Sequence, residues 1–334
     1  MEVTLGRTGI TVNKNGFGAL PIQRVSFDEA RTLLRKAFDN GVRYFDTARL
    51  YSDSEEKIGF ALSDKREQLY IGTKTAALKA GDFWDDLETS LKCLKTDHVD
   101  LLQFHNPPFC PKPGDGSGLY EAMLDAKEQG KVRFIGITNH RLNVAEEAVR
   151  SGLYDTLQFP FSYLADERDV ALVKLCEAQN VGFIAMKGMS GGLITNSAAS
   201  YAYMAQFANV LPIWGIQRER ELDEFLSYEK EPPVLTGELA ALIEKDRTEL
   251  IGDFCRGCGY CLPCPAQIDI PNSARMALML RRARPEDFLT GEWKEKMARI
   301  PNCIHCNHCR DHCPYGLDTP RLLAENWKDY QAFL

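Results

Sequence analysis

Four polar side chains stand at or just after the ends of short apolar runs: Asp46, Tyr51, Lys74 and His105. Together these residue types could donate a proton to a carbonyl oxygen. A phenol with a pKa of about 10 is a poor acid at neutral pH, but a neighbouring ammonium would stabilise the phenolate. We therefore predict that Tyr51 gives the proton, Lys74 lowers the pKa of Tyr51, and Asp46 holds Lys74. His105 would hydrogen-bond the substrate oxygen and fix its orientation.

Each of the four residues has an ordinary structural explanation when taken alone, because charges at strand ends and tyrosines at surfaces are common. Their shared position at strand ends is what favours a catalytic role for the four residues. From residue 15 to about 230, short apolar runs alternate with amphipathic helical stretches, which is typical of a parallel sheet with crossover helices. Eight strands are predicted, at Asn15–Ala19, Val42–Asp46, Leu69–Thr73, His98–Phe104, Lys131–Thr138, Thr156–Pro160, Gly182–Met186 and Val210–Ile213.

Eight strand-helix units favour a closed (β/α)₈ barrel, the TIM barrel of the α/β class, over an open doubly wound sheet. An open sheet would usually carry a glycine-rich phosphate turn after its first strand. Gly16-Phe17-Gly18 lacks both the third glycine and the following helix of that turn. In a barrel the C-terminal strand ends share one mouth, where barrel enzymes do their chemistry.

The chain is longer than one barrel needs. Its 334 residues exceed the roughly 250 of a typical barrel. Glu231-Pro232-Pro233 marks a break, followed by a helical pattern over Thr236–Leu250. We predict a barrel domain over residues 1–245 and a smaller helical domain over residues 246–334.

Composition excludes several functional classes. The apolar fraction is 44%, the charged fraction is 26%, and no apolar run reaches the eighteen or so residues of a membrane span. The net charge of −7 argues weakly against nucleic-acid binding. The N-terminus shows no secretory signal, so we expect a cytoplasmic protein without membrane or nucleic-acid partners.

The order Asp46, Tyr51, Lys74, His105 resembles the aldo-keto reductase family over about residues 1–245. The resemblance implies a barrel oxidoreductase that transfers a hydride between a nicotinamide cofactor and a carbonyl or alcohol substrate. It also implies that Thr138 and Asn139, in Gly136-Ile137-Thr138-Asn139, contact the nicotinamide amide, as would Gln158 in strand six.

Two further segments bear on the cofactor. Where the family usually has an aromatic residue and then a serine at strand seven, this chain has Met186-Lys187. Gly215, Arg218 and Glu221 lie where the family holds the adenosine end, and Arg218 could pair with a 2′-phosphate. We therefore expect NADPH in preference to NADH. A surface arginine at a helix start is the alternative interpretation of Arg218.

Eight of the eleven cysteines follow residue 254. Cys303, Cys306, Cys309 and Cys313 have the two, two, three spacing of a bacterial ferredoxin motif, whose fourth cysteine ligates the neighbouring cluster. Cys255, Cys258, Cys261 and Cys264 form a run one residue shorter, and a proline follows each run. The resemblance implies a ferredoxin-like domain over residues 246–334 with two [4Fe-4S] clusters, one held by Cys255, Cys258, Cys261 and Cys313, the other by Cys303, Cys306, Cys309 and Cys264. Two tetrahedral zinc sites are the alternative.

The sequence leaves three roles open for the clusters. A hydride carries two electrons and each cluster passes one, so the clusters are structural, or coupled through a further cofactor, or used with an external ferredoxin-like partner. Arg281, Arg282 and Arg284 could form a basic docking patch for such a partner, or simply a solvated helix face. The alternative function is an electron-transfer protein whose barrel serves as a docking scaffold.

Overall fold

The computed structural model describes residues 1–250, 254–282 and 285–334. Within these ranges the chain divides into two compact units. The first comprises Met1–Gly188 with Ala198–Thr236, and the second Met189–Ser197 with Gly237–Leu334. The division at Thr236/Gly237 follows the paired prolines, and the predicted boundary at residues 245/246 lies within the helix Gly237–Glu249.

The first unit opens with an antiparallel hairpin that the sequence analysis did not predict. Its strands are β1 (Glu2–Thr4) and β2 (Thr11–Asn13), and Val3 pairs with Val12. Both valines are buried in one cluster with Leu101, Ile184 and other side chains of the barrel strands. The hairpin is short and only alternate residues are apolar, so its local signal is weak.

Eight parallel strands then close into a barrel in the order β10-β3-β4-β5-β6-β7-β8-β9. The predicted (β/α)₈ barrel is therefore confirmed. The strands are β3 (Gly16–Gly18), β4 (Tyr44–Asp46), β5 (Tyr70–Thr75), β6 (Val99–His105), β7 (Val132–Thr138), β8 (Thr156–Pro160), β9 (Gly182–Met186) and β10 (Val210–Gly215). All eight overlap the predicted runs, because strands that are buried on both faces tend to be rich in apolar residues, which makes them visible in the sequence.

The crossover helices follow the predicted periodicity. They are α1 (Phe27–Asp39), α2 (Ser54–Leu62), α3 (Ala80–Leu94), α4 (Leu119–Glu128), α5 (Leu142–Ser151), α6 (Glu167–Ala178), α7 (Ser197–Ala205) and α8 (Glu219–Lys230). The Ser26 hydroxyl caps α1 by accepting from the Glu29 amide, and Glu29 accepts from the Ser26 amide in return. Helix α7 was not predicted, because its small and aromatic residues show little amphipathic contrast.

The second unit is helical. Its helices are α9 (Gly237–Glu249), α10 (Ile270–Ser273), α11 (Met276–Arg282), α12 (Gly291–Met297), α13 (His308–Asp311) and α14 (Thr319–Gln331). Its core joins Ile268, Met276 and Leu323 to several of the cysteines. Helix α10 ends at Ser273, and α11 begins at Met276.

Of the predicted basic patch, Arg281 forms an ion pair with Asp329, with Nη2 2.5 Å from Oδ1. Arg284 lies outside the described residues, as does the side chain of Arg282. No helix in the described part of the chain is both long and apolar enough to cross a membrane.

Candidate functional site

A buried ion pair lies at the C-terminal end of two neighbouring barrel strands. Strands β4 and β5 pair in parallel, which brings Asp46 beside Lys74 across 28 residues of sequence. Lys74 Nζ donates to Asp46 Oδ2 at 2.6 Å and to the Thr47 carbonyl at 2.6 Å. The side chains of Lys74 and Asp46 are only 1% and 3% exposed. Lys74 is therefore fixed in position and held against a carboxylate, as the sequence predicted.

Tyr51 and His105 lie next to this pair. Lys74 Nζ lies 5.1 Å from the centre of the Tyr51 ring. The Tyr51 and His105 rings meet edge to face, with centroids 5.8 Å apart. His105 ends β6, and Tyr51 occupies the turn before α2, where its amide donates to the Ala48 carbonyl. The structure thus brings all four predicted residues into one cluster.

The electrostatics correct one expectation. Burial raises the pKa of the Tyr51 phenol, and the negative charge of Asp46 raises it further. The predicted lowering by Lys74 is wrong for this arrangement, because loss of hydration penalises the phenolate more than the ammonium, already paired with Asp46, stabilises it. Tyr51 therefore keeps its proton at neutral pH, which is the state a proton donor needs.

His105 is held neutral. Burial, together with the charge of Lys74, lowers its pKa to about 3. Its Nδ1 is enclosed and has no hydrogen-bond partner among the described residues. A neutral imidazole can accept or donate one hydrogen bond without adding charge to the site.

The predicted nicotinamide residues are buried in strands β7 and β8. Thr138 pairs with Gln158 in the sheet register. Gln158 Oε1 accepts from Gln103 Nε2 at 2.7 Å, and Thr138 Oγ1 donates to Met186 Sδ at 3.8 Å. Gln103 was missed by the sequence analysis, although it stands two residues before His105 on the same face of β6, a signal that alternation along a strand provides.

Asn139 has partners of its own in the structure. Its Nδ2 donates to the Pro107 carbonyl at 2.9 Å, and its Oδ1 accepts from the Arg141 amide at 2.8 Å. The next residue, His140, is buried and was also missed. Burial lowers the pKa of His140 well below its ordinary value, and its amide donates to Asn106 Oδ1 at 3.0 Å. These bonds fix the loops that follow β6 and β7.

The start of α8 borders an open cleft of about 880 Å³. Arg218, Arg24 and Glu29 are among its lining residues. Glu221 Oε2 accepts from the amides of Gln217 and Arg218 at 2.9 and 3.0 Å. The Arg218 side chain is 60% exposed and its Nη1 lies 3.8 Å from Glu221, a weak ion pair. Arg24 was missed, because a lone arginine in a turn carries no sequence signal.

The cysteines of the second unit form two neighbouring sets. Cys255 interacts electrostatically with Cys258 and Cys313, and Cys261 interacts with Cys255 and Cys258. We call Cys255, Cys258, Cys261 and Cys313 the first cysteine set. Although the last of these is 49 positions beyond Cys264 in sequence, the fold brings it to the first run.

The second cysteine set comprises Cys264, Cys303, Cys306 and Cys309. All four line one small cavity, together with apolar side chains such as Ile268 and Leu323, and Cys261 of the first set lines it as well. Cys309 interacts electrostatically with Cys303 and Cys264, and Cys261 also interacts with Cys309, which places the two sets side by side. Among the described residues no three His, Cys, Asp or Glu side chains are arranged to hold a single metal ion.

Comparison with known proteins identifies the barrel. Residues 14–210, well over half of the chain, match the family model described as the aldo/keto reductase family. The chain belongs to this family. Residues 254–318 match a second model, described as a 4Fe-4S dicluster domain. An aldo/keto reductase barrel followed by a 4Fe-4S domain is therefore confirmed.

Individual relatives match the reductase part. The chain is 28% identical to the uncharacterized oxidoreductase YqkF of Bacillus subtilis, over 59% of this chain and 68% of that protein. It is 31% identical to L-galactose dehydrogenase of Arabidopsis thaliana, over 57% and 66% of the respective lengths. An aldo-keto reductase from Klebsiella pneumoniae, solved in complex with NADPH, superposes with a TM-score of 0.63 at 19% identity and covers 73% of this chain and 94% of that one. At that identity the likeness concerns the fold.

This aldo/keto reductase departs from the usual pattern at strand seven. Met186 ends β9 opposite Pro160, and its sulfur accepts from Thr138. Lys187 follows in the left-handed backbone region, with φ of 60°. A polarisable thioether thus occupies the position where the aromatic residue was expected.

Proposed function

We propose that this protein is an NAD(P)H-dependent oxidoreductase that transfers a hydride between nicotinamide and a small carbonyl or alcohol substrate. The observation that carries the proposal is the Asp46–Lys74 ion pair beside Tyr51 and His105 at the C-terminal end of the barrel. When bound, the nicotinamide would supply or accept the hydride. The protein then has to orient the substrate and move one proton.

The four side chains divide this work. Tyr51 keeps its proton until a substrate oxygen gains negative charge, and then donates it. Lys74 stabilises the phenolate that remains, while Asp46 keeps the ammonium fixed. The neutral imidazole of His105 would donate to the same oxygen and set its direction. In the alcohol-oxidising direction the proton passes back to Tyr51.

The cofactor residues follow from the strands around this cluster. Thr138, Asn139 and Gln158 would position the nicotinamide amide, with Met186 and Lys187 beside the ring. Gly215, Arg218 and Glu221 would hold the adenosine end, and of these Arg218 lines the cleft at the start of α8. Arg218 and Arg24 both line this cleft, and two guanidinium groups suit a 2′-phosphate, which favours NADPH over NADH.

We further propose two [4Fe-4S] clusters, one on each cysteine set. The electrostatic neighbours of the cysteines support the crossed assignment, and no three His, Cys, Asp or Glu side chains of the described residues converge on a single ion site. A tetrahedral zinc ion would need four ligands within about 2.3 Å of one centre. The cytoplasm keeps cysteine thiols reduced, which is the state that these cysteines need to bind clusters, so we place the protein there. The clusters would exchange electrons with an external ferredoxin-like protein or stabilise the unit that holds them.

A Tyr51→Phe substitution tests the reductase proposal. Purified anaerobically, the variant is assayed against aldehydes, ketones and alcohols with either dinucleotide. We expect carbonyl reduction to fall by about 10²- to 10⁴-fold, the usual contribution of a general acid, with unchanged cluster spectra. Tyr44→Phe is the matched control, because Tyr44 is a fully buried barrel tyrosine whose hydroxyl has no partner in the described structure.

The scaffold alternative predicts a different result. It is favoured by Met186-Lys187 at strand seven, where the aromatic residue expected beside the nicotinamide is replaced. If wild-type protein shows no turnover with any carbonyl or alcohol, and Tyr51→Phe changes nothing measurable, the barrel is a docking scaffold and the hydride-transfer proposal is refuted.

A further inference from the structure

Arg275 of the second unit is a half-buried arginine with enclosed hydrogen-bond donors. Arg275 lies between α10 and α11. Its Nη2 donates to Asn272 Oδ1 at 3.2 Å, and Asn272 Nδ2 in turn donates to both carboxylate oxygens of Asp269, at 3.1 and 3.0 Å. This chain of bonds fixes the direction of the guanidinium.

The other side of the guanidinium is enclosed. Nε and Nη1 of Arg275 are both shielded from solvent and have no hydrogen-bond partner among the described residues. An arginine stays charged at any ordinary pH, and Arg275 interacts electrostatically with Asp269. Enclosed donors without a hydrogen-bond partner are destabilising, so the two free donors on this fixed cation indicate that further negative charge belongs beside them.

The first cysteine set supplies negative charge near the guanidinium. Arg275 interacts electrostatically with Cys255, the first cysteine of that set. The backbone of Gly257 lies close to both residues: its amide donates to Cys255 Sγ at 3.4 Å, and a Cβ built at Gly257 would lie only 3.1 Å from Nη1.

Two glycines make room for the guanidinium. Gly257 and Gly191 both have left-handed backbones, with φ of 63° and 65°. A Cβ built at Gly191 would come within 2.5 Å of the same Nη1. The backbone is thus shaped around the cation on two sides, as a site that must admit a guanidinium next to a thiolate requires.

We propose that Arg275 is a tuning residue for the iron-sulfur cluster on the first cysteine set, where its fixed positive charge near Cys255 raises that cluster's reduction potential. The inference rests on the proposed clusters. A cluster gains negative charge when it is reduced, and net charge and hydrogen bonds to sulfur both set its potential. A fixed cation therefore favours the reduced state. None of the residues lining the cavity of the second cysteine set is an arginine or lysine, so the effect is confined to one of two clusters.

The test is a redox titration of the anaerobically purified full chain, monitored by electron paramagnetic resonance, which follows both clusters. Arg275→Gln removes the charge, and Arg275→Lys keeps the charge but loses the planar donors. Arg281→Gln is the control, because Arg281 is an exposed arginine of the same unit that is paired with Asp329. Iron content is measured for every variant.

We expect Arg275→Gln to shift the midpoint potential of one cluster to a more negative value and leave the other unchanged. Arg275→Lys should produce a smaller shift in the same cluster, and Arg281→Gln none. If Arg275→Gln fails to load iron, the Arg275→Lys shift decides the matter. Fully loaded variants whose midpoints match wild type, or equal shifts in both clusters, overturn the role of Arg275 alone. A colourless wild-type chain that contains zinc overturns the cluster proposal and this inference with it.

Discussion

Breaking the Asp46–Lys74 pair should destabilise the barrel strongly, and removing both charges together should restore much of the loss. The two side chains are almost fully buried and share one 2.6 Å hydrogen bond. Removing one partner from such a pair leaves a buried charge without compensation, which typically costs about 3–5 kcal/mol. We therefore expect a loss of this size from Asp46→Asn and from Lys74→Met.

The two single variants should differ in how much stability they lose. In Asp46→Asn the ammonium keeps its bond to the Thr47 carbonyl. In Lys74→Met the carboxylate loses the bond at Oδ2 and keeps only the neutral amide side chains of Gln158 and Gln103 as polar neighbours. Lys74→Met should thus be the more destabilising of the two at neutral pH. Burial already raises the pKa of Asp46, so part of the cost is relieved as the pH falls and the carboxyl takes up a proton.

The assay is a double-mutant cycle built from urea unfolding. Circular dichroism follows the whole chain, and cluster absorbance recorded in parallel isolates the second unit, because a chain of two units need not unfold in one step. The double variant should be more stable than the sum of the single losses predicts by about 2–3 kcal/mol, as expected for residues in direct contact. Additive losses, or single losses below about 1 kcal/mol, would refute the view that this pair is buried and mutually dependent.

Four other outcomes follow from the structure. The pKa of His105 is about 3 in the folded chain, against about 6.5 in an unfolded one. As the pH falls from 6.5 towards 3, the unfolded state therefore takes up a proton at this histidine and the folded state does not. Stability should therefore be fully present above pH 6.5 and decline by about 1.4 kcal/mol per pH unit towards pH 3, and His105→Asn should show a shallower decline in acid unfolding. Arg218→Ala should raise KM for NADPH at least about 10-fold, the scale of one lost phosphate contact, and hardly affect KM for NADH. The control Arg220→Ala replaces an exposed arginine close by and should change neither KM. Equal effects on both dinucleotides would argue against a 2′-phosphate site. Iron analysis should give about eight irons per chain and a brown chromophore, and one or two zincs without colour would exclude clusters. Stopped-flow mixing with NADPH under anaerobic conditions should bleach the clusters within a turnover if they take electrons from the barrel, and clusters that stay oxidised would leave them a structural role.

The main architecture was predictable from local pattern. The strand β8 agrees at both ends with its predicted limits, Thr156–Pro160, because this short segment with Thr, Leu and Phe begins after Asp155 and ends at a proline. The capping box at Ser26 and Glu29 has the three-residue spacing that this motif requires. By contrast the hairpin β1–β2 and helix α7 escaped prediction, since three-residue strands and a helix without amphipathic contrast acquire their stability from tertiary packing.

The site was predictable in its residues but not in its electrostatics. Asp46, Tyr51, Lys74 and His105 could be named because they end consecutive strands or follow them. The direction of the Tyr51 pKa was predicted wrongly, because the nearby ammonium was considered without the desolvation that accompanies it. Gln103 and Arg24 were not identified, because the sequence around a residue does not show which residues lie near it across the barrel.

The amino-acid sequence by itself determined the eight strands, the four side chains at the barrel mouth and the two runs of cysteines, because periodicity and spacing are local properties of a chain. Only the tertiary structure decided which groups face one another: Lys74 with Asp46, Cys313 with Cys255, and Arg275 with the first cysteine set. The physical reason is that desolvation and charge pairing depend on segments far apart in sequence, which packing alone brings together.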